Sequence, residues 1–82
     1  MTITKKPRKA DFVLDCSGHL CPVPILMTEE KMADLKKGET LEVIFTDPGA
    51  KSDLLAWCKA TGHTLLGFRN EKFTGFAVIL KN

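Results

Sequence analysis

No stretch of this sequence approaches the roughly 18–20 consecutive apolar residues of a membrane helix. Its first residues also lack the apolar core of a secretory signal. Both absences point to a cytoplasmic protein without membrane contact. Cysteines in paired spacing are missing as well: Cys16, Cys21 and Cys58 form an odd set, which fits a reducing compartment better than a disulfide scaffold. There is no C-x-x-C, no H-x-x-x-H and no related ligand pair, so neither a metal site nor another cofactor is expected. Glycine-rich phosphate loops, paired catalytic carboxylates and aromatic tracks for single-stranded nucleic acid are also absent. Low-complexity tracts and internal repeats do not occur.

What is present fits one small globular domain. The chain has 82 residues, of which 44% are hydrophobic, near the lower end of what one core can hold together. A net charge of +2 hides an asymmetry, because Lys5, Lys6, Arg8 and Lys9 stand among the first ten residues. The remainder then carries more acid than base. A nucleic-acid-binding domain would carry its basic excess on the folded body, so direct nucleic-acid binding is not expected. Residues 1–10 are read as a flexible basic tail and residues 11–82 as a single domain.

Along the domain, helical and extended patterns alternate. Phe12-Val13-Leu14 reads as a short strand covered on at least one side. A helix is predicted from about Pro22 or Pro24 to Lys36, with Ile25, Thr28, Met32 and Leu35 as its inward stripe, Met27 and Ala33 beside it, and Gly38 at its C-cap. Residues 40–45 alternate as a second strand whose Leu41, Val43 and Phe45 face the helices. Strand, helix and strand at this spacing favour parallel pairing through a right-handed crossover. Asp47-Pro48 resembles a helix cap and first turn, with Gly49 free to delay it. The segment 52–61, with Ala50 one turn ahead, places Leu54, Trp57, Cys58 and Thr61 on one side before Gly62 ends it. Cys58 is thus expected in the core. Residues 64–69 and 73–80 read as two further strands joined around Asn70-Glu71-Lys72, giving the order βαβαββ. Two helices on one sheet face leave the other face to solvent or a partner.

The stretch Asp15-Cys16-Ser17-Gly18-His19-Leu20-Cys21-Pro22-Val23-Pro24 carries the chemistry. Gly18 suits a left-handed turn. Cys21 is expected at the N-cap, with Pro22 and Pro24 in the first turn, where a missing N–H does no harm. The prolines would leave the N–H groups of Val23 and Ile25 free. The positive end of the helix dipole would then lower the Cys21 pKa and enrich its thiolate. His19 could add positive charge or a hydrogen bond. Cys16, five residues away, is either a second thiol able to resolve an adduct on Cys21 or a passive residue at the strand end. A purely structural reading leaves Cys21 as a small apolar residue between two breaks.

Leu14-Asp15, Gly18 and the run Cys21-Pro22-Val23-Pro24 resemble the CPxP signature of the TusA/SirA-like sulfur-carrier family. The likeness continues through Lys37-Gly38-Glu39-Thr40-Leu41, Thr46-Asp47-Pro48, Trp57-Cys58-Lys59 and Gly62-His63-Thr64-Leu65, covering about residues 11–81. The resemblance implies an α/β (α+β) two-layer sandwich, with a mixed four-stranded sheet in the order 1-2-4-3 and two helices on one face. It implies a sulfurtransferase that accepts persulfide sulfur on Cys21. The donor would be a cysteine desulfurase or rhodanese-like protein. The acceptor would be a relay protein serving tRNA thiolation, cofactor sulfuration or sulfur-compound metabolism. Two departures stand out: His19, where the family usually has leucine, and Glu29-Glu30, where relatives often carry basic residues. Two rival readings remain, an RNA- or protein-binding regulatory module and a Cys16/Cys21 redox switch.

Overall fold

The computed structural model describes residues 10–20 and 22–82; the predicted basic tail lies almost wholly outside them. Six elements follow in the expected order: β1 (Phe12–Asp15), α1 (Val23–Ala33), β2 (Thr40–Phe45), α2 (Ala50–Thr61), β3 (Thr64–Glu71) and β4 (Thr74–Leu80). The strands form one mixed sheet in the order β1-β2-β4-β3. β1 runs parallel to β2, while β4 is antiparallel to both β2 and β3.

Alternation in β2 and β4 decides which face the helices cover. Leu41, Val43 and Phe45 of β2 and Gly75, Ala77 and Ile79 of β4 are buried, whereas the residues between them are half-buried. Thr28, Met32 and Leu35 from α1 and its C-terminal turn, and Ala50, Leu54 and Cys58 from α2, are buried with them. Removing these side chains from water supplies most of the stabilisation. On the opposite face the Arg69 guanidinium lies 4.0 Å from the Phe76 ring centroid and 3.9 Å from the Glu42 carboxylate, a partial polar cover. β1 is an edge strand with Phe12 and Val13 exposed, so only Leu14 joins the core.

Helix boundaries differ from expectation for local reasons. α1 ends at Ala33 with Asp34 as its C-cap, not at Lys36 with Gly38. The chain tightens there: the Asp34 and Leu35 N–H groups donate to the Lys31 and Met32 carbonyls at 3.0 and 3.1 Å, an i to i−3 pattern. The Lys81 ammonium also donates to the Met32 carbonyl, at 2.6 Å, so that oxygen accepts from both Lys81 and the Leu35 N–H at the helix end. Gly38 serves the entry into β2 instead, with φ +93° and its N–H donating to the Lys81 carbonyl. α2 begins at Ala50 with Gly49 as N-cap, the delay past Asp47-Pro48 that Gly49 allowed, and Ser52 is an exposed residue within the helix. Thr61, expected on its packed side, is exposed, whereas Gly62 ends α2 in the left-handed conformation as expected.

Candidate functional site

The loop after β1 is built by short-range hydrogen bonds. The Cys16 N–H donates to the Ile44 carbonyl at 2.7 Å, extending the β1–β2 ladder by one residue. The Ser17 N–H donates to Asp15 Oδ1 at 2.9 Å, and the His19 N–H to the Cys16 carbonyl at 3.2 Å. Gly18 turns the chain with φ +83°, and its N–H donates to Thr46 Oγ1 at 2.9 Å. That last bond ties the loop to the residue following β2. Hydrogen bonds from Ser17 hold the Asp15 carboxyl below its usual range, with the His19 charge adding a smaller pull in the same direction.

Cys21 itself lies outside the described residues, but the residues on both sides of it are placed. Pro22, rather than Cys21, is the N-cap, and α1 starts at Val23, between the two expected starts at Pro22 and Pro24. The Val23 N–H donates to the Leu20 carbonyl at 2.9 Å, which corrects the expectation that it stays free. Pro24 is fully buried, and its carbonyl accepts from the Thr28 hydroxyl at 2.7 Å. As the second residue of the helix it needs no N–H partner. The two prolines thus do different work: Pro22 lies at the surface, and Pro24 anchors the first turn in the core. Ile25 is half-buried against the core.

Around this turn the sequence reading missed an apolar surface. Leu20 is 69% exposed and Leu26 57%, with Val23 exposed on the same outward side of α1 as Leu26, three residues on. The signal was present, because Leu26 falls outside the inward stripe and so has no place in the core. Exposed apolar clusters of this kind mark interaction sites more often than isolated leucines do.

The other two cysteines are inaccessible. Cys16 is completely buried, and burial followed by the Asp15 charge pushes its thiol pKa up. Cys58 is buried in α2, as its spacing predicted, and burial alone raises its pKa. Cys58→Ala should destabilise the domain by about 1 kcal/mol in thermal unfolding, the cost of a small core deletion. A raised folded-state pKa also sets a sign. The stabilisation linked to these thiols is complete below the ordinary thiol value of about 8.5 and is lost as pH rises through their raised folded values. Cys58→Ala should therefore flatten the alkaline fall in stability, and an unchanged slope would contradict its burial.

A mixed 1-2-4-3 sheet, two helices on one face and a proline N-cap that directly follows a cysteine in the sequence define a class of small thiol-bearing α/β domains. The family model for sulfurtransferase TusA matches residues 12–81, and the chain belongs to this family of sulfur carriers. It is 52% identical over 63 residues to the putative sulfur carrier protein YrkF of Bacillus subtilis. That match covers 77% of this chain but only 34% of the relative. The putative sulfur carrier protein YrkI of the same species is 53% identical over 63 residues, which are 77% of this chain and 84% of YrkI. The sulfur carrier protein TusA of Pseudomonas savastanoi is 39% identical over 64 residues, covering 78% of this chain and 76% of the relative. Among solved structures, a SirA-like protein from Desulfitobacterium hafniense shares the fold. It has a TM-score of 0.75 and 17% identity, over 84% of this chain and 95% of that one. No helix among the described residues is long and apolar enough to cross a membrane.

Proposed function

We propose that this protein is a cytoplasmic sulfurtransferase that carries sulfur as a persulfide on Cys21. In loading, the Cys21 thiolate attacks the outer sulfur of a donor persulfide. A bond forms between Cys21 Sγ and that sulfur, the donor S–S bond breaks, and the donor sulfur leaves as a thiolate. Unloading repeats the exchange with an acceptor thiolate in the attacking role. The sulfane sulfur keeps its oxidation state, so the cycle balances without an oxidant or cofactor.

The observation that carries this reading is the burial of the other two cysteines. Cys16 and Cys58 are buried with raised pKa values, while Leu20 and Pro22, on either side of Cys21 in the chain, are exposed. The same burial of Cys16 speaks against a Cys16/Cys21 redox switch. With the Val23 N–H committed to Leu20, the dipole of α1, the Ile25 N–H and the His19 side chain are the proposed stabilisers of an anionic sulfur. The exposed apolar residues Leu20, Val23 and Leu26 would receive the donor, a cysteine desulfurase or rhodanese-like protein. The same residues would then receive the acceptor, a relay protein in tRNA thiolation, cofactor sulfuration or sulfur-compound metabolism.

Incubation with a cysteine desulfurase and cysteine should add one reductant-labile sulfur to the intact protein, read by mass spectrometry. No addition, together with salt-dependent RNA binding that survives Cys21→Ser, would favour the regulatory-module reading instead. His19→Leu should raise the Cys21 pKa and slow its alkylation by iodoacetamide at fixed pH. An unchanged rate would leave the helix start as the sufficient cause.

A further inference from the structure

The two ends of the sheet are not equivalent. β1 and β2 are parallel and both finish at the end that carries the loop of residues 16–20. Because β4 is antiparallel to β2 and β3 to β4, the β3–β4 hairpin turns at that same end. Three strand spacings of about 4.8 Å separate β1 from β3, so the thiol loop and the hairpin tip lie roughly 14 Å apart across the sheet. An ordinary protein interface, about 800 Å² per partner, spans that distance.

Between them opens a cleft of about 380 Å³. Its apolar wall is the stacked pair Phe45 and Phe68, with ring centroids 5.9 Å apart. Thr46 also lines it, the residue whose hydroxyl holds the Gly18 N–H, so cleft and thiol loop share a wall. Lys51 extends over the Phe68 ring, its ammonium 4.3 Å from the centroid, and Lys72 contributes a second cation from the hairpin. Asp47 is the acidic group of the lining; it is 9% exposed, and its Oδ1 accepts the Gly49 N–H at 3.1 Å. With two lysines against one carboxylate, the lining carries a net positive formal charge.

Phe73, at the cleft rim, is 90% exposed, the most exposed large apolar side chain among the described residues. It sits in a two-residue hairpin turn in which Lys72 adopts φ +58°, a conformation that glycine or asparagine takes more easily. The Asn70 amide donates to the Lys72 carbonyl at 3.4 Å. The turn thus presents an aromatic side chain that has no role in the core. Aromatic residues are enriched where proteins dock.

We propose that this cleft and Phe73 form a second docking point for the protein that exchanges sulfur at Cys21. The occupant is an apolar side chain flanked by carboxylates on that partner. The aromatic wall takes the apolar group, and Lys51 and Lys72 take the acids. This deepens the sulfur-carrier reading and rests on it: the thiol loop performs the exchange, while the hairpin end holds the partner in register and selects it by charge.

The test begins with the isotope-labelled full chain and the peptide acetyl-Glu-Asp-Leu-Phe-Asp-Glu-amide, beside a neutral counterpart bearing Gln and Asn. The acidic peptide should shift the amide signals of Lys51, Phe68, Lys72 and Phe73 and bind more tightly than the neutral one. Phe73→Ser and Lys72→Gly should each weaken it by on the order of ten-fold. Both changes spare the fold, since Phe73 is exposed and glycine suits the turn. Shifts confined to Val13, Ile44, Phe76, Val78 and Leu80 on the helix-free face, or equal binding by Phe73→Ser, would overturn the proposal.

A second arm compares sulfur loading of Phe73→Ser by inorganic polysulfide with loading by a cysteine desulfurase and cysteine. The ratio of protein-donor to polysulfide loading should fall about ten-fold. An unchanged ratio overturns the docking point and leaves the carrier reading standing. A wild-type chain that polysulfide cannot load would instead sink the carrier reading, and the peptide titration would still decide the cleft.

Discussion

Cys21→Ser should lose sulfur loading completely while keeping the wild-type thermal midpoint. An alcohol oxygen cannot hold a transferable sulfane sulfur, so the loss is of chemistry and not of rate. Neither remaining thiol can take over. Cys16 is fully enclosed at the end of β1, and Cys58 is buried on α2. Both have pKa values pushed up by burial, which suppresses the thiolate that would have to attack. The fold should be indifferent because the first turn of α1 is held by Pro24, by the Thr28 hydroxyl on its carbonyl and by the Val23 N–H on Leu20. Intact-mass spectrometry after exposure to a donor reads the loading, and circular dichroism reads the fold. Full loading of a folded Cys21→Ser chain would transfer the carrier role to a buried cysteine and refute the site.

Gly75→Ala should be the most damaging one-carbon change in the sheet. Gly75 has no unusual backbone angle; its constraint is space. A Cβ there would overlap the ring of Phe45, which is buried and stacked on Phe68. The ring lies on the β4 backbone because position 75 has no side chain. Forcing it away means an off-rotamer Phe45 or a shifted strand, at a cost of about 1–3 kcal/mol. Each kcal/mol lowers the midpoint by roughly 4–8 °C in a domain of this size. Phe45→Leu makes room for the new methyl group, so the double variant should lose less than the sum of the single changes, the mark of direct contact. A Gly75→Ala chain that melts with wild type would mean that Phe45 does not rest on Gly75.

How far the sequence carried the reading depended on the range of the interaction. β2 was legible to the residue because Leu41, Val43 and Phe45 alternate with polar or half-buried neighbours. Cys58 was legible from helical spacing, and Gly62 from its place after the last apolar residue of α2. The end of α1 was not legible, because the chain tightens there into i to i−3 bonds and Lys81, 49 residues away, adds a bond to the Met32 carbonyl. Strand order rested on family resemblance, since periodicity says which face a strand buries but not which neighbour it takes.

The candidate site divides along the same line. Cys21, Gly18 and the prolines announce themselves by residue type. The commitment of the Val23 N–H to Leu20 and the inward position of Pro24 depend on how the loop closes, which no pattern encodes. The hairpin-end cleft had no local signal at all. Phe45, Phe68 and Phe73 come together only through the pairing of β2 and β3 with β4, and Lys51 joins them from the first turn of α2.

The central claim is that Cys21 both accepts sulfur and gives it up, and a radiosulfur chase tests it most directly. The wild-type chain is loaded from a desulfurase and labelled cysteine, freed of the donor, and divided. One part is digested under non-reducing conditions to locate the label, and the other is mixed with a protein thiol acceptor and sampled over time. The account predicts label on the peptide containing Cys21 and its passage to the acceptor as that peptide loses it. Label on the Cys16 or Cys58 peptide, or label that stays on Cys21 in the presence of acceptor thiolate, would contradict it.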